Sequence, residues 1–223
     1  MKLPLPIQFG SIIVADHMKF NNRDEAVGGR NYALGIMDRH TGWTDGYPSV
    51  CKSTETNTAA FRQFAASSDK IDNCWIDNAP ELVNACKALG YRRHLSIENR
   101  PQSNGVAERN IRRILEGTRA ALHDSGLSQR YWHVAMRCYC ALRNFVDIWK
   151  LDKTPYELRF NAKFKRQLIP FGSKVYYTST SKNEDDKRQK LGPRLIPGIF
   201  VGYKLYPGGI WRDEYLVLDF DAF

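Results

Sequence analysis

The sequence predicts an α/β fold: a mixed five-stranded sheet with flanking helices, followed by a small β-rich unit. Three observations carry that expectation. Strand-like runs gather near the start, SIIVADHM (11–18), NYALGIMD (31–38) and TDGYPSV (44–50), with Gly28-Gly29 and HTGW (40–43) in the gaps. That pattern reads as an antiparallel meander. Strand and helix patterns then alternate up to residue 96, and two long helical patterns follow before strand-like runs return after residue 173.

Each later element has its own signal. TETNTAAFRQFAAS (54–67) carries a Thr cap and helical spacing of Ala59, Phe61 and Phe64. IDNCWID (71–77) is a short apolar strand, and APELVNACKALG (79–90) is a helix with proline near its start and glycine at its end. RRHLS (92–96) supplies a last strand. Pro101 and Asn104-Gly105 are start signals for a helix in which Ile111, Ile114, Leu115, Thr118 and Leu122 recur at three- and four-residue steps. SQRYWHVAMRCYCALRNFVDI (128–148) is a second long helix, dense in aromatic and aliphatic residues. Antiparallel strands, then strand–helix alternation, then packed helices describe a sheet of the ribonuclease H type. TPYELRF (154–160) begins a short amphipathic helix, and SKVYYTST (173–180), PGIFVGYKL (197–205) and IWRDEYLVLDF (210–220) read as strands. The polar stretch 181–194 between the first two is expected to be a mobile loop. The expected division is therefore 8–150 for the core, 151–170 for a connecting helix and 171–223 for the β-rich tail.

Composition is that of a globular chain, with 43% hydrophobic residues in 223. No apolar run approaches the roughly 18 residues needed to cross a membrane, and MKLPLPIQFG has no signal-peptide pattern. Five scattered cysteines suit reduced thiols inside a cell, and Cys138 and Cys140, two apart on a helix, point to different faces and make a poor metal pair. The net charge of +9 is unevenly spread. Lys+Arg against Asp+Glu stand at 9 to 10 in residues 1–90, 11 to 5 in 91–150 and 13 to 9 in 151–223. An arginine-rich helix beside isolated acids points to a polyanion such as nucleic acid, whereas a merely soluble basic surface is the plainer alternative.

One acid breaks that pattern. Glu108 stands at the start of the first long helix, on the border of its apolar stripe, with Arg112 and Arg119 just beyond and Arg109 and Arg113 further round at about 100° per residue. It could simply complement the helix dipole, worth a few tenths of a kcal/mol. It could also be a metal-binding carboxylate. Asp16, Asp38 and Asp77 lie at strand ends, where turn formation is the commoner role. An antiparallel first pair sends Asp38 to the end opposite Asp16. A helical crossover makes strand 71–77 parallel to the first and brings Asp77 to the Asp16 end, within reach of the Glu108 helix. Such an all-oxygen set suits Mg²⁺ or Mn²⁺, and two ions about 3.5–4 Å apart can clamp the attacking and leaving oxygens of a phosphoryl displacement.

The residues IVADH, IDNAPE and RPQSNGVAERNIRR resemble, in order, the three acidic motifs of retroviral-type integrases, and TPYELRF, IPFGSKVYY and PGIFVGY resemble the segments that follow the core in copia-type retrotransposon polyproteins. The resemblance runs from about residue 10 to the end. It implies Asp16, Asp77 and Glu108 as catalytic and metal-binding residues of a DDE motif, with Asn78 and Asn104 as neighbours that shape the site. It also implies DNA integration: end trimming and joining of 3′ hydroxyls of a retroelement cDNA to target DNA, with Mg²⁺, in a nuclear homo-oligomer. Arg109, Arg112, Arg113, Arg119 and Asn104 are the expected nucleic-acid contacts. The chain departs from the pattern in four places. Thirty residues separate Asp77 from Glu108, a few fewer than usual; His17-Met18 and Ala79-Pro80 replace the usual neighbours; and no His/Cys zinc module precedes the core. The missing zinc module and altered neighbours favour a rival, a domesticated or inactive nucleic-acid-binding derivative; against a second, a ribonuclease H-like nuclease without joining activity, stand the NGVAER context and the basic β tail.

Overall fold

Strand β1 (Ile13–Lys19) is the spine of the first sheet. On one side it pairs antiparallel with β2 (Tyr32–Asp38), which pairs antiparallel with β3 (Thr44–Ser49). On the other it runs parallel to β4 (Asn73–Ile76), and β4 parallel to β5 (Arg92–Leu95). The order is β3-β2-β1-β4-β5. This computed structural model describes residues 5–95, 105–178 and 195–220; the expected loop 181–194 and Asn104 lie outside them. All five strands of the sheet form where they were expected; β1 to β4 bury side chains on at least one face, whereas edge strand β5 buries none and is held by its pairing with β4.

Parallel pairing demands crossovers, and two helices supply them. Helix α1 (Thr54–Phe64) starts at Ser53, one residue before the expected Thr cap: the Ser53 hydroxyl accepts from the Thr56 amide at 3.2 Å, and the Thr56 hydroxyl accepts from the Ser53 amide at 3.1 Å. Helix α2 (Pro80–Ala88) opens on its proline. Both cover one face of the sheet, where Ile13, Ala15, Cys74 and Ile76 meet Phe61, Phe64, Leu82 and Ala85, all buried. Cys74, Cys86, Cys138 and Cys140 are buried free thiols and only Cys51 is exposed, as packing rather than metal chemistry requires.

The opposite face is covered by α3 (Gly105–Ser125) and α4 (Trp132–Val146). Two strand glycines allow the helices to approach. A Cβ on Gly35 would stand 2.5 Å from Ile111 Cδ1, and one on Gly46 2.5 Å from Met136 Sδ. Buried amides fix the docking. Asn144 accepts from the Thr44 amide at 3.0 Å and donates to the Thr44 carbonyl at 2.7 Å, while the Thr44 hydroxyl donates to Asn110 Oδ1 at 2.9 Å. One residue of β3 thus ties both helices to the sheet through bonds that leave little unsatisfied.

After α4 comes α5 (Pro155–Phe160), capped by Thr154 and Glu157. Its Arg159 is held in an aromatic cage, 3.4 Å from the Phe9 ring centroid and 5.1 Å from that of Trp43, and bonds Asp69 at 2.9 Å. Burial lowers its pKa to about 10, against the pull of Asp69, and it stays charged at neutral pH. The second sheet, in the order β6-β7-β8, comprises β6 (Lys174–Tyr177), β7 (Ile196–Tyr206) and β8 (Ile210–Asp219). It has its own hydrogen bonds but not its own core. Phe200, Val201, Tyr203 and Leu205 belong to the same buried cluster as Met136, Ala141 and Phe145 of α4, and the Tyr203 and Phe145 rings meet edge to face at 5.3 Å. A tail pictured as a separate β unit is, in its packing, a second layer over α4.

Candidate active site on the α3 face of the sheet

Register locates the aspartates. Ile13 and Val14 lie opposite Cys74 and Trp75; the same register continued by two residues sets Asp16 opposite Asp77, just past the end of β4. Both are half-buried. Asp16 Oδ1 accepts from the His17 amide at 2.8 Å, and Asp77 Oδ1 accepts from the Ala79 amide at 3.2 Å, a turn that leads into α2. Asp38 is at the other end, opposite Ile13. Fully buried, it accepts from the Thr41 amide and hydroxyl, both at 2.7 Å, and from the Gly10 amide at 3.0 Å. Burial nonetheless raises its carboxyl above the usual range. It closes the β2–β3 turn and takes no part in the site.

Helix α3 follows β1 along the face that carries Asp16. Ala107 packs against Val14 and Met37, and Ile111 reaches Gly35, the direct partner of Asp16. The Glu108 backbone is therefore set between these two contacts, over the Val14–Asp16 stretch of β1, with its side chain exposed. The backbone brings Asp16 and Asp77 side by side on the face that α3, with Glu108, crosses. The side chains do not complete the expected metal-sized cluster: among the described residues no three His, Cys, Asp or Glu groups stand close enough to hold an ion. Drawing three carboxylates to contact distance costs repulsion that only a cation offsets. As a donor set, three carboxylates without a soft ligand fit Mg²⁺ or Mn²⁺.

The four arginines of α3 are all exposed, yet they do not form one patch. Arg109 turns its Nε back to the Gly105 carbonyl at 2.9 Å. Arg113 stands on the α4 flank, where its field reaches Arg143 and Tyr139, while Arg119 lines a groove with Phe20, Leu115 and Trp132 on the other flank. The helix presents positive charge around its whole outer surface.

Sequence reasoning passed over the groups beneath Asp16. His17 turns to the α1 side, where its Nε2 lies 3.0 Å from Asn57 Oδ1, with the Lys52–Glu81 ion pair of 2.7 Å close by. Burial lowers the His17 pKa, keeping the ring neutral at physiological pH. The signal was present, since His17 interrupts the motif, but its partner Asn57 is 40 residues away and unmarked. A second overlooked pair, Trp75 and His94, stacks on the α3 face with ring centroids 4.9 Å apart and planes within 9°.

No protein-family model matches the chain. In sequence it is 27% identical, over 191 residues, to the "Retrovirus-related Pol polyprotein from transposon TNT 1-94" of Nicotiana tabacum; the match takes in 80% of this chain and 14% of that polyprotein. In structure it is similar to the BIV integrase catalytic core (TM-score 0.51, 18% identity, 68% of this chain and 95% of that one). It is likewise similar to the HTLV-2 integrase catalytic core in complex with magnesium (0.53, 15%, 70% and 99%). A chain of the simian T-cell lymphotropic virus intasome in complex with PP2A regulatory subunit B56 gamma is matched over 96% of this chain and 77% of its own (0.55, 16%). At these identities the structural likeness is one of fold. The chain therefore has the fold of these integrase catalytic cores, followed by a three-stranded sheet, and is similar in sequence to one part of the polyprotein of a plant retrotransposon.

Proposed function

We propose that the protein is a copia-type retroelement integrase, a polynucleotidyl transferase that trims DNA ends and joins their 3′ hydroxyls to target DNA with Mg²⁺ or Mn²⁺. One observation carries the reading. The register that seats Asp16 opposite Asp77 on the face crossed by α3, the helix of Glu108, supports it, as does the confinement of Asp38 to the β2–β3 turn. The amides of His17 and Ala79 each hold one oxygen of an aspartate, which limits the rotation of both carboxylates. The exposed arginines of α3 would bear the phosphodiesters, joined by Asn104. When bound, the metal would neutralise charge on the phosphate and acidify the attacking hydroxyl. The chain's part is to hold ligands and DNA in line. Within this reading, 8–150 is the catalytic core, 151–170 the connector and 171–223 the tail domain, acting as a homo-oligomer on nuclear DNA.

A non-catalytic DNA-binding derivative is the second reading, favoured by the exposed Glu108 and by acids that, among the described residues, do not gather to a metal-sized group. Glu108→Gln separates the two. Mn²⁺-dependent cleavage and joining of labelled duplex ends should fall by at least about 100-fold, since positioned metals supply several kcal/mol of transition-state stabilisation. Metal-free DNA binding should hold or tighten slightly as a negative charge leaves. If wild type joins ends and Glu108→Gln joins them equally well, the triad assignment is wrong. If wild type binds DNA but never joins it, the second reading stands.

A further inference from the structure

The edge of the sheet next to Asp77 carries aromatic and basic groups that the fold does not need. Along β4, Cys74 and Ile76 point into the core, while Asn73 and Trp75 take the α3 face. Cross-strand pairing sets Arg92 opposite Asn73 and His94 opposite Trp75 on edge strand β5. A row forms on that face: Arg92 and His94 at the rim, Trp75 inside it, and Asp77 two residues beyond Trp75.

The row is pre-organised. Asn73 donates its amide to the Ser11 carbonyl at 2.9 Å, which leaves its oxygen to accept from His94 Nε2 at 3.0 Å. That bond fixes the imidazole plane parallel to the indole. Trp75 is itself backed by Val14 and Ala107. One face of the His94 ring is therefore taken by Trp75, and the ring is half-exposed on the strand that ends the sheet. Burying a tryptophan needs no histidine stacked over it at a sheet edge, and the buried Trp75 indole N–H finds no acceptor among the described residues. Arg92 is exposed beside the stack. A planar ring on a rigid backing, with a cation one step along and a carboxylate site one step the other way, is the arrangement that receives an unpaired nucleobase and its phosphate.

We propose that His94, backed by Trp75, is the platform on which the terminal unpaired base of a DNA strand stacks, with Arg92 on the adjoining phosphate. This would position the strand's 3′ end at Asp16 and Asp77. The inference rests on the DNA-end reading above and adds positioning residues to it.

The test uses the full chain without metal and a duplex whose last 3′ base, in a short overhang, is 2-aminopurine. Wild type should quench its emission, and His94→Ala should lose most of that quench and bind the overhang about 10-fold more weakly, with binding to blunt internal duplex unchanged. His94→Phe, which keeps a planar ring, should restore both. Trp75→Leu should also lose the quench, and His94→Ala, at an exposed edge, covers the case in which Trp75→Leu fails to fold. Arg92→Ala should weaken all DNA and lower the salt slope by about 1. Equal quenching by wild type and His94→Ala would overturn the platform, as would a wild type that joins ends without quenching. A wild type that binds no DNA at all would instead overturn the proposed function.

Discussion

Glu108 and Asp38 are both acids near the ends of regular elements, and burial alone gives them opposite work. Glu108 meets solvent and can change its company; Asp38, at 0% exposure, is locked to three donors from Gly10 and Thr41. Burial raises the Asp38 carboxyl, so the folded chain holds its proton more tightly than the unfolded chain does. The contribution of this group to stability is therefore greatest below the unfolded value, about 3.9, and is lost as pH rises through the folded one. Asp38→Asn, which keeps only one acceptor oxygen, should cost about 1–3 kcal/mol in denaturant unfolding. Because Asn does not titrate, the gap to wild type should be wider at pH 4 than at pH 7. A gap that widens toward neutral pH would mean that the ionised form is the one the fold prefers. Neither role is written in the residue type. What distinguished the two acids in the sequence was strand direction, which the Gly-Gly and His-Thr-Gly-Trp turns imply.

At the scale of elements, the site depends on how closely α3 can lie on β1 and β2. Gly35 sets that distance, since any side chain there meets Ile111 and, at 3.4 Å, Ile114 and Met18. Gly35→Val should lift the first turn of α3 and with it Glu108. A shift near 1 Å is enough for about a 100-fold loss of joining activity, against a stability cost of about 1–3 kcal/mol from overpacking. Adding Ile111→Ala should restore activity more than stability, and equal recovery of both would show that α3 had not been displaced. The elements themselves were legible to within a few residues because alternation and helical period are local. Their mutual anchors were not. Thr44 and Asn144 lie 100 residues apart, and His17 and Asn57 lie 40 apart, so no window of sequence contains both partners. The Ser53 cap was missed for a smaller reason, an adjacent threonine with the same capping chemistry.

Across the whole molecule, positive charge is dispersed over α3, β5 and the second sheet, so DNA affinity should be the sum of many modest contacts. Lys174 and Arg212 lie over the rings of Tyr176 and Tyr206, at 5.5 and 4.8 Å, a pairing of cation and aromatic suited to single-stranded or distorted DNA. Changing both to Ala should reduce the slope of log affinity against log salt by about 2 if the tail touches DNA, with the thermal midpoint nearly unchanged. An unaltered slope would assign the tail a purely structural part. The sequence announced the tail's strands but not its attachment, because Phe200, Tyr203 and Leu205 read equally well as the inner face of an independent barrel. Their burial against α4 has a hereditary consequence. Helix α4 is walled by β3 on one side and β7 on the other, so a stop codon between α4 and β7 yields a chain with its central helix half bare. Tail and carboxylates are inherited together or lost together.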